Sequence, residues 1–423
     1  MTYGKPSQDG YLPRIADTLL MNHLRNSGAV HIKGPKWCGK TSTGERVSKS
    51  QVYLQDPDRG PALLALADSM PSALLQGEKP RLIDEWQMAP QLWDAVRFAV
   101  DRGREHGQFV LTGSSTPRMR PAHTGVGRIA PLVMRTMSLL ESGESSGEVS
   151  LSALFDGSEQ ITAMSNVNVD KYAEILCRGG WPEAVSLGES SPGTMARNYI
   201  EELLDSNIEE MDGIKRNSTW MRSIMRSLAR NVSGQASLAT VAADMRESPS
   251  DVTVADYVDA LARAYVTEDL PAWNPNLRSK TVVRTSPTRH FCDPSLAAAV
   301  LGATPQRLLE DFATFGLLFE SLCIRDLRVY TSALHGHVAH YRDKTGLEAD
   351  AVISLPDGRW APVEIKMGQS RIDEGAKHLL KLSDRVDQER EGAPSFLMVL
   401  SSTVAGYCRP DGVIVVPLAC LGV

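Results

Sequence analysis

An α/β fold class built from three units in series is what this sequence predicts, and three patterns carry the prediction. Residues 28 to 115 alternate short apolar runs with longer helical periodicities, as a parallel sheet covered by helices does. Residues 169 to 289 are mostly helical and end on a helix, turn, helix and hairpin order. From about His290 one long helix precedes three successive strands, another helix and two more strands. The expected boundaries are 1–165, 166–289 and 290–423, and 423 residues suit about three domains.

In the first unit Ala29-Val-His-Ile reads as a strand, Gly34 to Lys40 as a loop and Thr41 to Ser50 as a helix. Val52-Tyr-Leu, Arg81-Leu-Ile and Phe109-Val-Leu-Thr follow as strands. Pro90 to Glu105 places Leu92, Val96, Ala99 and Val100 at helical spacing. In the second unit helices are expected at Arg197–Glu210, Met221–Val232, Ser237–Met245 and Ser248–Ala264, the last capped by Ser250. Tyr265–Ala272 and Thr281–Thr285, joined by the basic loop Asn276–Lys280, complete a winged-helix order. In the third unit Leu308–Leu327 reads as one helix. Val338–Arg342, Leu347–Leu355 and Trp360–Met367 read as strands, Ile372–Ser383 as a helix, and Phe396–Leu400 and Val413–Pro417 close the sheet.

Gly34-Pro35-Lys36-Trp37-Cys38-Gly39-Lys40-Thr41, followed by Ser42, fits the phosphate-loop spacing G-x-x-x-x-G-K-[ST] between a strand and a helix. Its backbone N–H groups and the helix N-terminus suit a β-phosphate. Lys40 is expected to reach the β- and γ-phosphates, and the Thr41 hydroxyl to bind Mg²⁺. Arg81-Leu-Ile-Asp84-Glu85 ends a strand in two carboxylates, Asp84 for the Mg²⁺ shell and Glu85 to polarise a water. Together these make the first unit a P-loop NTPase with ATP and Mg²⁺ as cofactors. Thr112 or Ser114, at the carboxyl end of the next strand, is expected to sense the γ-phosphate or orient the water. Arg128, or Arg135 just beyond, is the expected arginine finger, in cis or across a subunit boundary of a homo-oligomer.

The segments GPKWCGKT, PRLIDEWQ, FVLTGSS and GRIAPL, in that order, resemble a prokaryotic family of AAA-type ATPases with a C-terminal domain of uncharacterised function. CRGGWP, HFCDPSLA and GLEADAVISL…APVEIK extend the resemblance over nearly the whole chain. The resemblance implies an ATPase domain, a winged-helix segment and a nuclease-like C-terminal domain.

Glu320, Asp350, Glu364 and Lys366 form a second constellation. Period 2 puts Glu364 and Lys366 on one strand face with Ile365 toward the core. The turn Pro356-Asp-Gly358 returns Glu364 to the sheet end that holds Asp350. Helix Glu, strand Asp and Glu-x-Lys resemble the PD-(D/E)XK nuclease pattern, of restriction-endonuclease-like fold. Glu320, Asp350 and Glu364 would bind Mg²⁺, and Lys366 would position or deprotonate a water.

The charge is −6, from 45 Lys and Arg against 51 Asp and Glu, which excludes a globally basic nucleic-acid coat but not a local basic face. Arg222, Arg226 and Arg230 on one helix, and Arg278, Lys280 and Arg284 on the wing, are candidates for such a face. Six scattered cysteines without a CxxC pair exclude a disulfide framework or zinc knuckle, and suit a cytoplasmic chain. No apolar run approaches a membrane span, and MTYGKPSQDGYLPR lacks the apolar core of a signal peptide. Two functions compete: an ATPase acting on DNA or RNA through a nuclease-like head, and a nucleotide-gated switch or scaffold that binds a partner protein.

Overall fold

A computed structural model describes residues 3–8, 10–115, 124–158, 161–188, 193–207, 214–247, 249–275, 285–386, 388 and 392–423. The N-terminal unit is built on five parallel strands: β1 (Ala29–Lys33), β2 (Ser50–Tyr53), β3 (Arg81–Asp84), β4 (Phe109–Gly113) and β5 (Ile129–Val133). They lie in the order β2-β3-β4-β1-β5. Alternate residues feed opposite faces, as the two-residue strand period requires. Val30, Ile32, Leu82 and Val110 pack with α1 (Ile15–Asn26), while Ala29, Ile83, Phe109 and Leu111 pack with α4 (Gln91–Gly103). Two further helices, α2 (Lys40–Val47) and α3 (Gly60–Ser69), complete the covering. Parallel order brings the carboxyl ends of β1, β3 and β4 to one edge.

The C-terminal sheet has seven strands. β6 (Val149–Ser150) pairs separately with β14 (Leu421–Gly422). β7 (Thr162–Met164), β8 (His337–Arg342), β9 (Glu348–Ser354), β10 (Trp360–Lys366), β11 (Met398–Ser401), β12 (Ala405–Cys408) and β13 (Ile414–Pro417) run in the order β7-β12-β13-β11-β10-β9-β8. β8, β9 and β10 are antiparallel neighbours, whereas β10, β11 and β13 are parallel. Helix Phe312–Ala333 precedes β8, and helix Ile372–Arg385 joins β10 to β11. The chain thus enters the last sheet through β7, short of the boundary expected at 165.

The middle helices share one continuous core with that sheet, from Leu139 and Trp181 through Leu261 and Phe319 to Val363 and Leu421. Leu238–Ala243 and Asp251–Arg263 are helices, and Ser250 caps the second by accepting the Thr253 N–H. Tyr265–Ala272 is not a regular strand. Its bridges run from Thr267 to Phe291 and Leu270 to Thr288, and only at Ala272, which bridges His340, does it meet β8. The basic loop Asn276–Lys280, with Arg278, Lys280 and Arg284, lies outside the described residues, as does the expected helix end at Glu210. The expected helix Leu308–Leu327 is two helices, Pro305–Glu310 and Phe312–Ala333. Asp311 breaks it by accepting the Thr314 N–H and hydroxyl, an N-cap that competes with helix continuation.

Candidate functional site

The phosphate loop joins β1 to α2 and needs both of its glycines. A side chain at Gly34 would run into the carbonyl oxygen of Met134, and Gly39 caps α2 with φ 97°, a left-handed backbone. Cys38, buried between them, points its thiol at the Met134 carbonyl oxygen, 3.5 Å away. Lys40 is buried and donates to the Pro35 carbonyl at 2.6 Å, so its ammonium is turned back over the loop. Arg14, preceding α1, locks the assembly from below. Its Nη1 donates to the Cys38 carbonyl at 2.8 Å, its Nη2 to the Arg135 carbonyl at 2.7 Å and its Nε to Glu141 at 3.2 Å.

Asp84 ends β3 facing this loop. Its Oδ1 accepts the hydroxyls of Thr41, at 2.8 Å, and Thr112, at 2.6 Å, while Gln55 reaches Oδ2 at 3.2 Å. Burial pushes the Asp84 carboxyl above its ordinary range, and the two threonine hydroxyls pull it partly back. Glu85 follows in left-handed backbone, φ 54°, which turns its side chain away from that of Asp84. Ser114 donates its hydroxyl to Glu85 Oε2 at 2.7 Å, and Gln87 donates to the same oxygen. Thr112 also accepts the Glu85 N–H at 3.1 Å. Its hydroxyl thereby links the two carboxylates, at the strand end where contact with a γ-phosphate or its water is expected.

Lys40, Thr41, Gln55, Glu85, Gln87 and Ser114 line a cleft of about 880 Å³, to which Pro182, Glu183 and Glu202 of the helical unit also contribute. Trp37 lies edge-on to Tyr199, ring centres 5.4 Å apart, and Tyr199 stacks on Trp181 at 5.0 Å. The nucleotide-type cleft is thus walled by two units.

Neither expected finger arginine enters it. Arg128 precedes β5, and its carbonyl accepts the Ala29 N–H at the start of β1, so it sits at the amino-terminal edge of the sheet. Its guanidinium pairs with Asp101. A parallel sheet separates that edge from the phosphate loop, which removes a cis role for Arg128. Arg135 is at the correct edge but engages Glu268 through Nε at 2.9 Å and Nη2 at 2.5 Å. Burial alone would raise Glu268, yet the guanidiniums of Arg135 and Arg328 hold it down at about 2.

The C-terminal constellation lies where β9 and β10 separate. Their ladder ends at Ala351 and Val363, and the Asp350 carboxylate then takes the Ile365 N–H at 2.6 Å. Lys366 Nζ stands 2.5 Å from Glu364 Oε2 and 3.3 Å from Asp350 Oδ2. Glu364 is fully buried, and burial, reinforced by the Asp350 charge, pushes its carboxyl up to about 8 against the opposing pull of Lys366. Glu320 senses the same charges from helix Phe312–Ala333, and burial raises it well above its ordinary range. Among the described residues no three His, Cys, Asp or Glu side chains converge as a metal site. Glu320, Asp350 and Glu364 do not converge as one ligand set here, and the Lys366 ammonium bridges the two strand carboxylates. Of the basic stripe, Arg222 pairs with Glu201 and Arg230 with Asp244, both arginines largely exposed.

Gln55, Gln87, Arg14 and His378, whose Nδ1 is 3.7 Å from Glu364, are site residues that motif reading passes over. Gln87 is two positions from Glu85, the one local signal among them.

Residues 26–142 match the family model described as an AAA domain, and this unit is an AAA-type domain. Residues 169–307 and 315–421 match two models described as domains of unknown function, DUF8612 and DUF4143. The chain is 24% identical over 358 residues to the uncharacterized protein Rv2008c of Mycobacterium tuberculosis, spanning 84% of this chain and 73% of that one. Mb2031c of Mycobacterium bovis, also uncharacterized, matches with the same identity and coverage. Among solved structures, the Walker-type ATPase PABY2304 of Pyrococcus abyssi aligns at TM-score 0.42 and 13% identity, over 70% of this chain and 98% of that chain. AMPPCP-bound DnaA from Aquifex aeolicus aligns at TM-score 0.28 and 12% identity, over 59% of this chain and 86% of that chain. Among the described residues no helix is long and apolar enough to cross a membrane.

Proposed function

We propose that this chain binds ATP with Mg²⁺ at the phosphate-loop cleft and hydrolyses it, and that its C-terminal unit is a PD-(D/E)XK nuclease-like domain that couples turnover to DNA or RNA in the cytoplasm. The observation that carries the ATPase reading is the convergence of the Thr41 and Thr112 hydroxyls on one carboxylate oxygen of Asp84 beside a fixed Glu85. Hydroxyl and carboxylate oxygens form a hard donor set that suits Mg²⁺, with Thr41 and Asp84 as its holders. Bound there, Mg²⁺ supplies charge neutralisation on phosphate oxygens.

The chain's own groups do the rest. Backbone N–H groups from Gly34 to Thr41 cradle the phosphates, and Lys40 exchanges the Pro35 carbonyl for them. Glu85, its Oε2 held by Ser114 and Gln87, orients the attacking water and takes up its proton. The αβββαβ run from Phe312 to Ser401, with Asp350, Glu364 and Lys366 at the fork of β9 and β10, supports the nuclease-like reading.

The Lys366 ion pairs, which balance Asp350 and Glu364 by themselves, also suit the second reading, a nucleotide-gated scaffold for a partner protein or a second copy. Calorimetric titration of ATP with Mg²⁺ into the full chain tests the common core. Binding is expected for the parent and about 10-fold or greater loss for Lys40→Ala and Asp84→Asn. Equal binding by all three contradicts the assignment. Mg²⁺- or Mn²⁺-dependent cleavage of DNA or RNA that Lys366→Ala abolishes would then select the nuclease over the scaffold.

A further inference from the structure

The phosphate loop carries a second lysine that the chemistry above leaves unused. Lys36 lies between Gly34 and Gly39, lines the same cleft as Lys40, Thr41 and Glu85, and keeps 39% of its side chain exposed. Its ammonium stands 3.6 Å from Oε1 of Glu202, the last residue of helix Thr194–Glu202. Beside it Trp37, in left-handed backbone with φ 61°, rests against Tyr199 of the same helix. The loop and that helix therefore meet through contacts that include an ion pair, an aromatic contact and a hydrogen bond from the Lys36 backbone to Tyr199. Among the described residues, Lys36 and Lys40 are the cations that line the cleft. Arg128 sits at the opposite edge of the sheet, and Arg135 is engaged by Glu268.

Phosphoryl transfer spreads negative charge over the terminal phosphate oxygens, and a cation already in place there lowers the barrier. A half-exposed lysine–glutamate pair is a weak tether, and a four-carbon stem lets the ammonium swing. We propose that Lys36 is the cis cation for the terminal phosphate, parked on Glu202 without nucleotide and transferred to the triphosphate when ATP binds. The inference rests on the cleft being an Mg²⁺-ATP site. In the step it assists, the water oxygen bonds to the γ-phosphorus while the bond to the β–γ bridging oxygen breaks. That oxygen keeps the electron pair and leaves with ADP, the water's proton passes to Glu85, and Lys36 stays protonated throughout. Because ADP lacks the terminal phosphate, release of Glu202 distinguishes ATP from ADP and passes the difference to the helical unit.

The test measures Mg²⁺-dependent affinity for a non-hydrolysable ATP analogue and for ADP, together with kcat, on the full chain and its Lys36→Ala, Lys36→Arg and Glu202→Gln variants. Lys36→Ala is expected to keep ADP affinity within about twofold, weaken the analogue about 10-fold and lower kcat about 10- to 100-fold. Lys36→Arg should retain most of both, and Glu202→Gln should shift the preference further toward the triphosphate. An unchanged triphosphate-to-diphosphate ratio and kcat in Lys36→Ala, or an equal loss of both nucleotides, overturns the role of Lys36 and leaves the ATPase reading standing. A parent chain that binds neither nucleotide overturns both.

Discussion

His31, at the centre of β1, shows how a single buried side chain ties the site edge to solution conditions. Its ring is enclosed by Trp86 and Trp93, and its Nε2 accepts the Trp86 indole N–H at 2.9 Å. Burial drives its pKa down to about 3, with Lys33 and Lys40 adding repulsion. The native state therefore binds fewer protons than the unfolded chain between about 3 and the ordinary 6.5. Stability from this residue is complete above about 6.5 and drains away as pH falls toward 3. Melting temperature recorded across that window should fall with pH, and His31→Gln, which keeps an acceptor for Trp86 without titrating, should flatten the slope. An identical slope in parent and variant contradicts this account. At the same scale Thr112 shows what strand position leaves out. Strand-end position suggests nucleotide contact, and side-chain geometry adds that its hydroxyl bonds Asp84 and accepts the Glu85 N–H.

The elements with unbroken periodicity were the legible ones. β1, β3, β4 and α4 stand close to where apolar spacing places them, as do β9 and β10 with their intervening turn. β5 was hidden by Pro131, which argues against a central strand; β5 is an edge strand, where proline is tolerated. β7 was hidden because three residues carry too little periodicity, and its partner β12 is about 240 positions away in sequence. That pairing has a consequence. A fragment covering 290–423 would lack β7 and expose the edge of β12, together with core positions filled by Leu151, Leu154 and Phe155. Such a fragment should melt lower and aggregate more than one in which residues 145–165 are fused back to it. Light scattering and thermal melting of the two compare them directly; equal behaviour would mean that β7 contributes nothing to the sheet's stability.

Across the whole molecule, two of the segments that carried the resemblance, CRGGWP and HFCDPSLA, meet in one buried junction. Arg325 pairs with Asp293 at 3.1 Å and Asp326 at 2.7 Å, and all three are buried. Asp293 also accepts the Thr136 hydroxyl and the Gly180 N–H, and Asp326 accepts the Leu139 N–H. Trp181 donates its indole N–H to Ser295 at 3.0 Å. Local patterns cannot display this network, since its members lie up to about 190 positions apart and come together only when the core closes. Glu141, bound to Arg14, caps Ser138 one residue from Leu139, so the junction reaches the phosphate loop through few contacts. Helix Phe312–Ala333 bears Glu320 as well as Arg325 and Asp326, and so joins this junction to the C-terminal carboxylates. On the proposed reading, the group that acts on water in the cleft is Glu85. The most direct measurement is therefore steady-state phosphate release with Mg²⁺-ATP by the full chain and by Glu85→Gln, with ATP retention followed in parallel. The parent should turn over, whereas Glu85→Gln should still bind and retain ATP with kcat reduced about 10²- to 10³-fold. Equal phosphate release by the two proteins would contradict the account.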